Sequence, residues 1–256
     1  MTPTDSWLAE ELGFAISLTE RAATVALLEL ATPVQVHAKP DGSPVTNVDL
    51  AVDDLLVAAI HAERPDDAIL SEESGEYGAG SRRWILDPVD GTFNLVREHP
   101  HWGTHVALEV DGEIVVGVIT RPRLGLRWWA TRGGGAFCSE AHAEAEVTRL
   151  QVSTTSAIAS SRVRTWSAAP EVVDRVQRAA VWEEFDMNDI LGVAEGRLEA
   201  VISSPGEIWD HAPAVLLVEE AGGRFRDHEG GRRLDIGHGH YTNGAVDETL
   251  APLLDL

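Results

Sequence analysis

Apolar positions recur at helical spacing from Asp5 to Leu30, through Leu8, Leu12, Ile16, Ala23, Leu27 and Leu30. This predicts a long amphipathic first helix with acidic residues near its start, where the helix dipole favours them. Val34 to His37 alternates briefly and runs into a turn over Lys39 to Pro44. Thr46 to Asp49 opens a second helix reaching about His61, with Val52, Leu55, Leu56 and Ile60 apolar. Ala68 to Leu70 reads as a short strand ending in Ser71-Glu72-Glu73-Ser74, and Trp84 to Leu86 as a second strand stopped by Pro88. Gly103 to Val110 and Glu113 to Thr120 alternate around Asp111-Gly112, a hairpin signal. Leu126 to Thr131 adds a strand before Gly133-Gly134-Gly135-Ala136-Phe137, which lacks the spacing of a nucleotide loop and reads as a turn.

The second half changes rhythm. An acidic, alanine-rich stretch over 139–146 reads as a linker. After it come a strand-like Ala157 to Ser161, a helix Pro170 to Gln177, a strand Ala180 to Phe185 and a helix Asn188 to Glu195. A strand Leu198 to Ile202, a helix Asp210 to Ala221 stopped by Gly222-Gly223, a strand at Arg224-Phe225 and a helix Val246 to Leu254 complete the chain. Two helices before a largely antiparallel sheet, then alternating strands and helices, imply two sheets with helices between and outside them. The expected division is 1–140, carrying most of the chemistry, and 141–256, an α/β unit that completes the site.

Composition narrows the function. Twenty basic against 42 acidic side chains give a net charge of −22, which argues against nucleic acid or a membrane surface as partner. Cys138 is the sole cysteine, so neither an internal disulfide nor a cysteine zinc site is expected. With no secretory signal pattern and no apolar run long enough to span a bilayer, a cytoplasmic location is expected. Lys39 is the single lysine.

Candidate chemistry gathers where strands end and helices begin. Asp87 and Asp90 bracket Pro88 at a strand end, followed at once by Gly91 and Thr92. Carboxylates beside a Gly-Thr turn suit a hard cation bridging to phosphate, although Asp, Pro and Gly also make ordinary turns. Glu72 lies at the neighbouring strand end. Asp49 and Asp210 stand near helix starts, where an acid serves equally as a cap or as a ligand. Together, Asp49, Glu72, Asp87, Asp90 and Asp210 would hold ions about 3.5–4 Å apart to clamp a phosphate ester for attack by water.

Four segments in order resemble the inositol monophosphatase family of Mg²⁺-dependent, lithium-sensitive phosphatases. They are Lys39 to Asp49, Ser71-Glu72-Glu73-Ser74, Asp87-Pro88-Val89-Asp90-Gly91-Thr92, and Trp209-Asp210-His211-Ala212 with Glu220-Ala221-Gly222-Gly223. The resemblance implies an α/β fold of the five-layered αβαβα sandwich type, a homodimer, and two or three Mg²⁺ per site. By position it assigns Glu72, Asp87 and the Val89 carbonyl to one ion, Asp87, Asp90 and Asp210 to a second, and Asp49 with Glu72 to a third. It gives Glu72, Thr92 and Asp49 the activation of water, Gly91 and Thr92 N–H the phosphate, and Asp90, Asp186 and Asp210 the substrate. Asn94 to Trp102 and Arg127 to Gly133 look most like the actinobacterial histidinol-phosphate phosphatases, which makes histidinol phosphate the expected substrate. Inositol monophosphate is the alternative, counted against by Ser203 where inositol phosphatases often place a glutamate. A 3′-phosphoadenosine 5′-phosphate or fructose 1,6-bisphosphate substrate, or a metal-binding pseudoenzyme acting through protein contacts, stands further off. The segment before Asp186 looks shortened and lacks the arginine expected there. Pro213 is read as lying in the first turn of its helix.

Overall fold

The computed structural model describes residues 3–40, 42–142, 144–184 and 189–254. In chain order the first half contains α1 (Pro3–Glu29), β1 (Val36–Ala38), β2 (Pro44–Thr46), α2 (Asn47–Glu63), β3 (Ala68–Ser71), β4 (Gly75–Tyr77), β5 (Arg82–Asp90), α3 (Thr92–Val96), β6 (Gly103–Val110), β7 (Glu113–Arg121), β8 (Leu126–Thr131) and β9 (Gly135–Glu140). The second contains β10 (Thr148–Arg149), β11 (Arg162–Thr165), α4 (Pro170–Ala179), β12 (Val181–Glu184), α5 (Asp189–Ala194), β13 (Ala200–Pro205), α6 (Ile208–Glu220), β14 (Arg224–Asp227), β15 (His238–Thr242) and α7 (Asp247–Leu254).

An eight-stranded sheet runs β10-β9-β8-β7-β6-β5-β3-β4, antiparallel except where β3 lies parallel to β5. A five-stranded sheet runs β12-β11-β13-β15-β14, with β11 parallel to both of its neighbours. Because side chains alternate along a strand, each sheet offers one face to each of two layers. On β5, Trp84 and Leu86 join the core with α1 and α2, while Ile85 faces the core built around α6. On β13, Val201 faces the α6 core, while Ala200 and Ile202 pack against Val176 of α4 and Leu250 of α7. The order α1/α2, sheet, α5/α6, sheet, α4/α7 is the expected αβαβα sandwich. Helix α6 packs on β5 to β9 and also on β14 and β15, so both halves share its core. The expected border at 140 falls between β9 and β10, which pair in one sheet.

Several local expectations are corrected. Pro88 does not end its strand: β5 continues to Asp90, because its pairing with β3 ends at Leu86 and the β5–β6 register shifts between Asp87 and Asp90. The missing N–H of a proline is tolerated at such a bulge beside an open edge. A 3-10 turn at Ile158–Ser160 stands where a strand was expected, and β11 starts at Arg162. Gly133 and Gly134 turn the chain as expected, but Gly135 already opens β9, which includes the first two residues of the expected linker. Pro213 is the sixth residue of α6, beyond its first turn. There it packs on Gly117 of β7, whose absent side chain is required: a Cβ would lie 3.0 Å from Pro213 Cα.

Candidate active site

The ends of β3 and β5 and the starts of α3 and α6 converge on one cleft of about 840 Å³, which Asp49 at the start of α2 does not line. Its walls include Glu72, Asp87, Val89, Asp90, Gly91, Thr92 and Asp210, so seven expected site residues meet there. Parallel pairing of β3 with β5 sets Ser71 opposite Leu86, and the Glu72 N–H continues the ladder to the Leu86 carbonyl. That register is why two acids distant in sequence stand side by side.

Asp87 is 1% exposed and its Oδ1 meets no hydrogen-bond partner. Burial, then the charges of Glu72, Asp90 and Asp210, push its carboxyl well above the usual range. Asp210 behaves alike: burial and the Asp90 charge raise it to about 8, against the opposing Glu207 backbone donor. Unpaired buried carboxylates crowded together are costly alone and become favourable once a cation neutralises them. The acids and the Val89 carbonyl offer oxygen donors, as Mg²⁺ prefers. Asp90 differs. Burial alone would raise it, but His105 and Arg121 outweigh burial and hold it down to about 2. Arg121 Nη2 donates to Asp90 Oδ2 at 2.8 Å, and His105 Nε2 lies 3.2 Å from the same oxygen.

Asp49 sits at the third position of α2, where its Oδ2 accepts the Thr46 N–H at 2.9 Å and closes a capping box. Its Oδ1 accepts the Thr92 hydroxyl at 2.7 Å. The choice between cap and functional acid therefore dissolves, since one residue does both. Thr92 Oγ1 also lies 3.0 Å from the Val89 carbonyl. Gly91 has φ +83°, a left-handed conformation natural to glycine, and lets the chain turn from β5 into α3. Lys39 Nζ donates to Glu72 and to Glu73, each at 2.7 Å. Burial alone would lower the Lys39 ammonium, but those two carboxylates raise it above its ordinary value. Burial, with the charges of Glu72 and Asp49, outweighs Lys39 and lifts Glu73 to about 7.

Sequence reading missed His105 and Arg121. Asp87, Asp90 and His105 bring ligand atoms within 4.8 Å of one another, the metal-type cluster found among the described residues. The available signal was phase: His105 and Arg121 share the inward face with Ala107 and Ile119, where an apolar residue is the norm. Asp186, expected to touch substrate, lies outside the described residues. Among those residues no helix is long and apolar enough to cross a membrane.

Comparison with known proteins agrees with this geometry. The inositol monophosphatase family model matches residues 7–255. A Streptomyces griseus protein is 43% identical over 99% of this chain and 98% of its own length, and carries the name glucose-1-phosphate thymidylyltransferase. The histidinol-phosphatase of Mycobacterium tuberculosis is 35% identical over 95% of this chain and 98% of its own. Among solved structures, the extragenic suppressor protein suhB from Bartonella henselae superposes with a TM-score of 0.82 at 27% identity, covering 93% of this chain and 96% of that one. With a family match over nearly its whole length, four motifs in order, and Glu72, Asp87, Asp90 and Asp210 of those motifs gathered in one cleft, the chain belongs to the inositol monophosphatase family, and so to the phosphoric monoester hydrolases.

Proposed function

We propose that the chain hydrolyses L-histidinol phosphate to L-histidinol and phosphate with Mg²⁺ held by Glu72, Asp87, Asp90, Asp210 and the Val89 carbonyl. The observation that carries the metal reading is the orphaned Oδ1 of Asp87 amid buried acids of like charge. Held by those residues, Mg²⁺ would supply charge neutralisation for the phosphate and a lowered pKa for the attacking water. The residues of the chain do the rest. Donation of the Thr92 hydroxyl to Asp49 leaves lone pairs on Thr92 Oγ1 for a water proton, with Asp49 as the sink behind it. Glu72 orients the same water once Lys39 yields its carboxylate. Gly91 and Thr92 present backbone N–H groups to the phosphate, and a third ion at Glu72 and Asp49 would compete with the hydrogen bonds of Lys39, Thr46 and Thr92.

Histidinol phosphate is favoured by the full-length match to the mycobacterial histidinol-phosphatase and by an aromatic rim on the cleft. Phe93, Trp166, Trp182 and His99 line it, a surface suited to a flat or cationic alcohol more than to a polyol. The name of the Streptomyces griseus relative supports a second reading, thymidylyl transfer, in which glucose 1-phosphate would replace water as nucleophile.

The test is phosphate release with Mg²⁺ from histidinol phosphate, inositol 1-phosphate and 3′-phosphoadenosine 5′-phosphate, beside pyrophosphate release from dTTP and glucose 1-phosphate. A kcat/KM for histidinol phosphate at least about tenfold above the others is expected. Preference for another ester would overturn the substrate, and pyrophosphate release would overturn the reaction. Intact metal binding with no turnover would leave a pseudoenzyme.

A further inference from the structure

Behind the acids lies a second cavity of about 270 Å³, which shares Asp90, Asp210 and Trp166 with the main cleft. Ile119, Ile190 and Leu191 make its apolar walls, while Ser204 and His211 add polar atoms. Both of these side chains are 1% exposed, and neither Ser204 Oγ nor His211 Nε2 meets a hydrogen-bond partner. Buried polar groups left unmatched are destabilising, so two in one cavity point to an occupant that hydrogen-bonds.

The backbone is bent to present them. Ser203 has φ +53°, and the β13–β15 register shifts between Val201 and Ser204, a bulge that re-aims the next side chain. His211 is fixed by its Nδ1, 2.7 Å from the Tyr241 hydroxyl. On the wall shared with the main cleft the Arg121 cation donates to the Asp90 carboxylate and offsets one of the two acids there. Apolar sides with an unmatched imidazole nitrogen and an unmatched hydroxyl suit an uncharged ring bearing both a donor and an acceptor. At about 30 Å³ per water, the cavity has room for several waters or one small ring.

We propose that this cavity is the leaving-group subsite, in which Ser204 and His211 hydrogen-bond the edge of an uncharged heteroaromatic ring carried by the alcohol. The proposal rests on the phosphatase reading and names where its specificity resides. It places the ring-edge contacts in the cavity behind Asp90 and Asp210, next to Trp166, the rim residue that both cavities share.

The test uses the Mg²⁺-loaded protein at pH 8, where an imidazole ring is largely neutral. Ala214→Leu fills the cavity from α6, and Ser204→Ala removes one hydroxyl without adding bulk. For each, kcat/KM is measured for histidinol phosphate and for ethyl phosphate, which has no ring, and calorimetry gives the Kd of L-histidinol. The ratio of the two kcat/KM values should fall about tenfold or more in Ala214→Leu and severalfold in Ser204→Ala, mainly through KM, with a matching rise in Kd. Equal losses on both esters, or an unchanged ratio, would overturn the subsite. If the unsubstituted protein hydrolyses neither ester, the phosphatase reading fails by itself. Calorimetry then decides the subsite: L-histidinol binding weakened by Ala214→Leu supports it, and absent or unaltered binding overturns it.

Discussion

At the start of α2, Asp49 gives one oxygen to the Thr46 N–H and the other to the Thr92 hydroxyl. At the start of α6, Asp210 gives Oδ2 to the Glu207 N–H at 2.6 Å and stands among the charges of Asp90 and Glu72. Both acids occupy the third helical position, and both close a capping box. Hydroxyl and backbone donors satisfy Asp49 completely, whereas carboxylates surround Asp210 and burial raises it to about 8. The same local device therefore yields a fully hydrogen-bonded acid at one helix and an acid lacking a counter-charge at the other. What differs is the neighbouring strand end, which offers Thr92 to Asp49 and Asp87 with Asp90 to Asp210.

Asp210→Asn tests the contrast most strongly. Phosphate release should fall by on the order of a thousandfold, because the variant removes a charge that the ion and the transition state both require. Thermal melting in EDTA should move the other way. Asparagine keeps an acceptor for Glu207 and removes one member of a repelling group, so the metal-free midpoint rises while the gain from added Mg²⁺ shrinks. A lower metal-free midpoint would show that Asp210 is already compensated and would erase the distinction from Asp49.

The parts of this site legible in the sequence were those carried by short-range patterns. Asp87 to Thr92 are contiguous, so spacing alone placed them in one turn, and Asp49 and Asp210 announced themselves at helix starts. The phase of His105 and Arg121 was there to read, but their meeting at Asp90 depends on the registers of β6 with β5 and β7. An inward histidine and arginine in a hairpin read as the polar half of an ordinary alternation. The fold shows the same divide. Strands with apolar alternation were visible, but β15, His238-Gly239-His240-Tyr241-Thr242, has almost none and is held by pairing on both sides to β13 and β14. Continuation of β5 through Pro88 was hidden for a related reason, since only the neighbouring strand's length shows that no ladder bond is needed there.

Asp49→Ala sharpens the comparison from the other side. The substitution leaves the Thr46 N–H and the Thr92 hydroxyl without their carboxylate, so stability should fall by about 1–2 kcal/mol with or without metal. Chemical denaturation in EDTA measures this directly. The two helix-start acids are thus expected to change metal-free stability with opposite sign. A stabilised Asp49→Ala would mean that Asp49 also suffers from the neighbouring acids and that its hydrogen bonds do not settle it.

Glu199 supplies the remaining case, a buried acid that has its counter-charge without any metal. Its Oε1 accepts from Arg162 Nη2 and Ser153 Oγ, each at 2.8 Å, and its Oε2 accepts the Arg162 N–H at 2.6 Å. Burial alone would raise its pKa, but the Arg162 and Ser153 donors outweigh burial and lower it below the ordinary glutamate value. A carboxyl lowered in the folded state binds fewer protons there than in the unfolded chain. Its stabilisation is therefore complete above the unfolded pKa and is lost as pH falls through the folded one. Glu199→Gln should lower stability at neutral pH and flatten the acid limb below about pH 4.5, by no more than about 1.4 kcal/mol per pH unit for a single group. Denaturation midpoints from pH 7 down to the acid transition, unsubstituted against Glu199→Gln, read this out in EDTA. Parallel acid limbs would show that the Arg162 contact leaves the Glu199 carboxyl at its unfolded value, and the comparison with Asp210 would then rest on crowding alone.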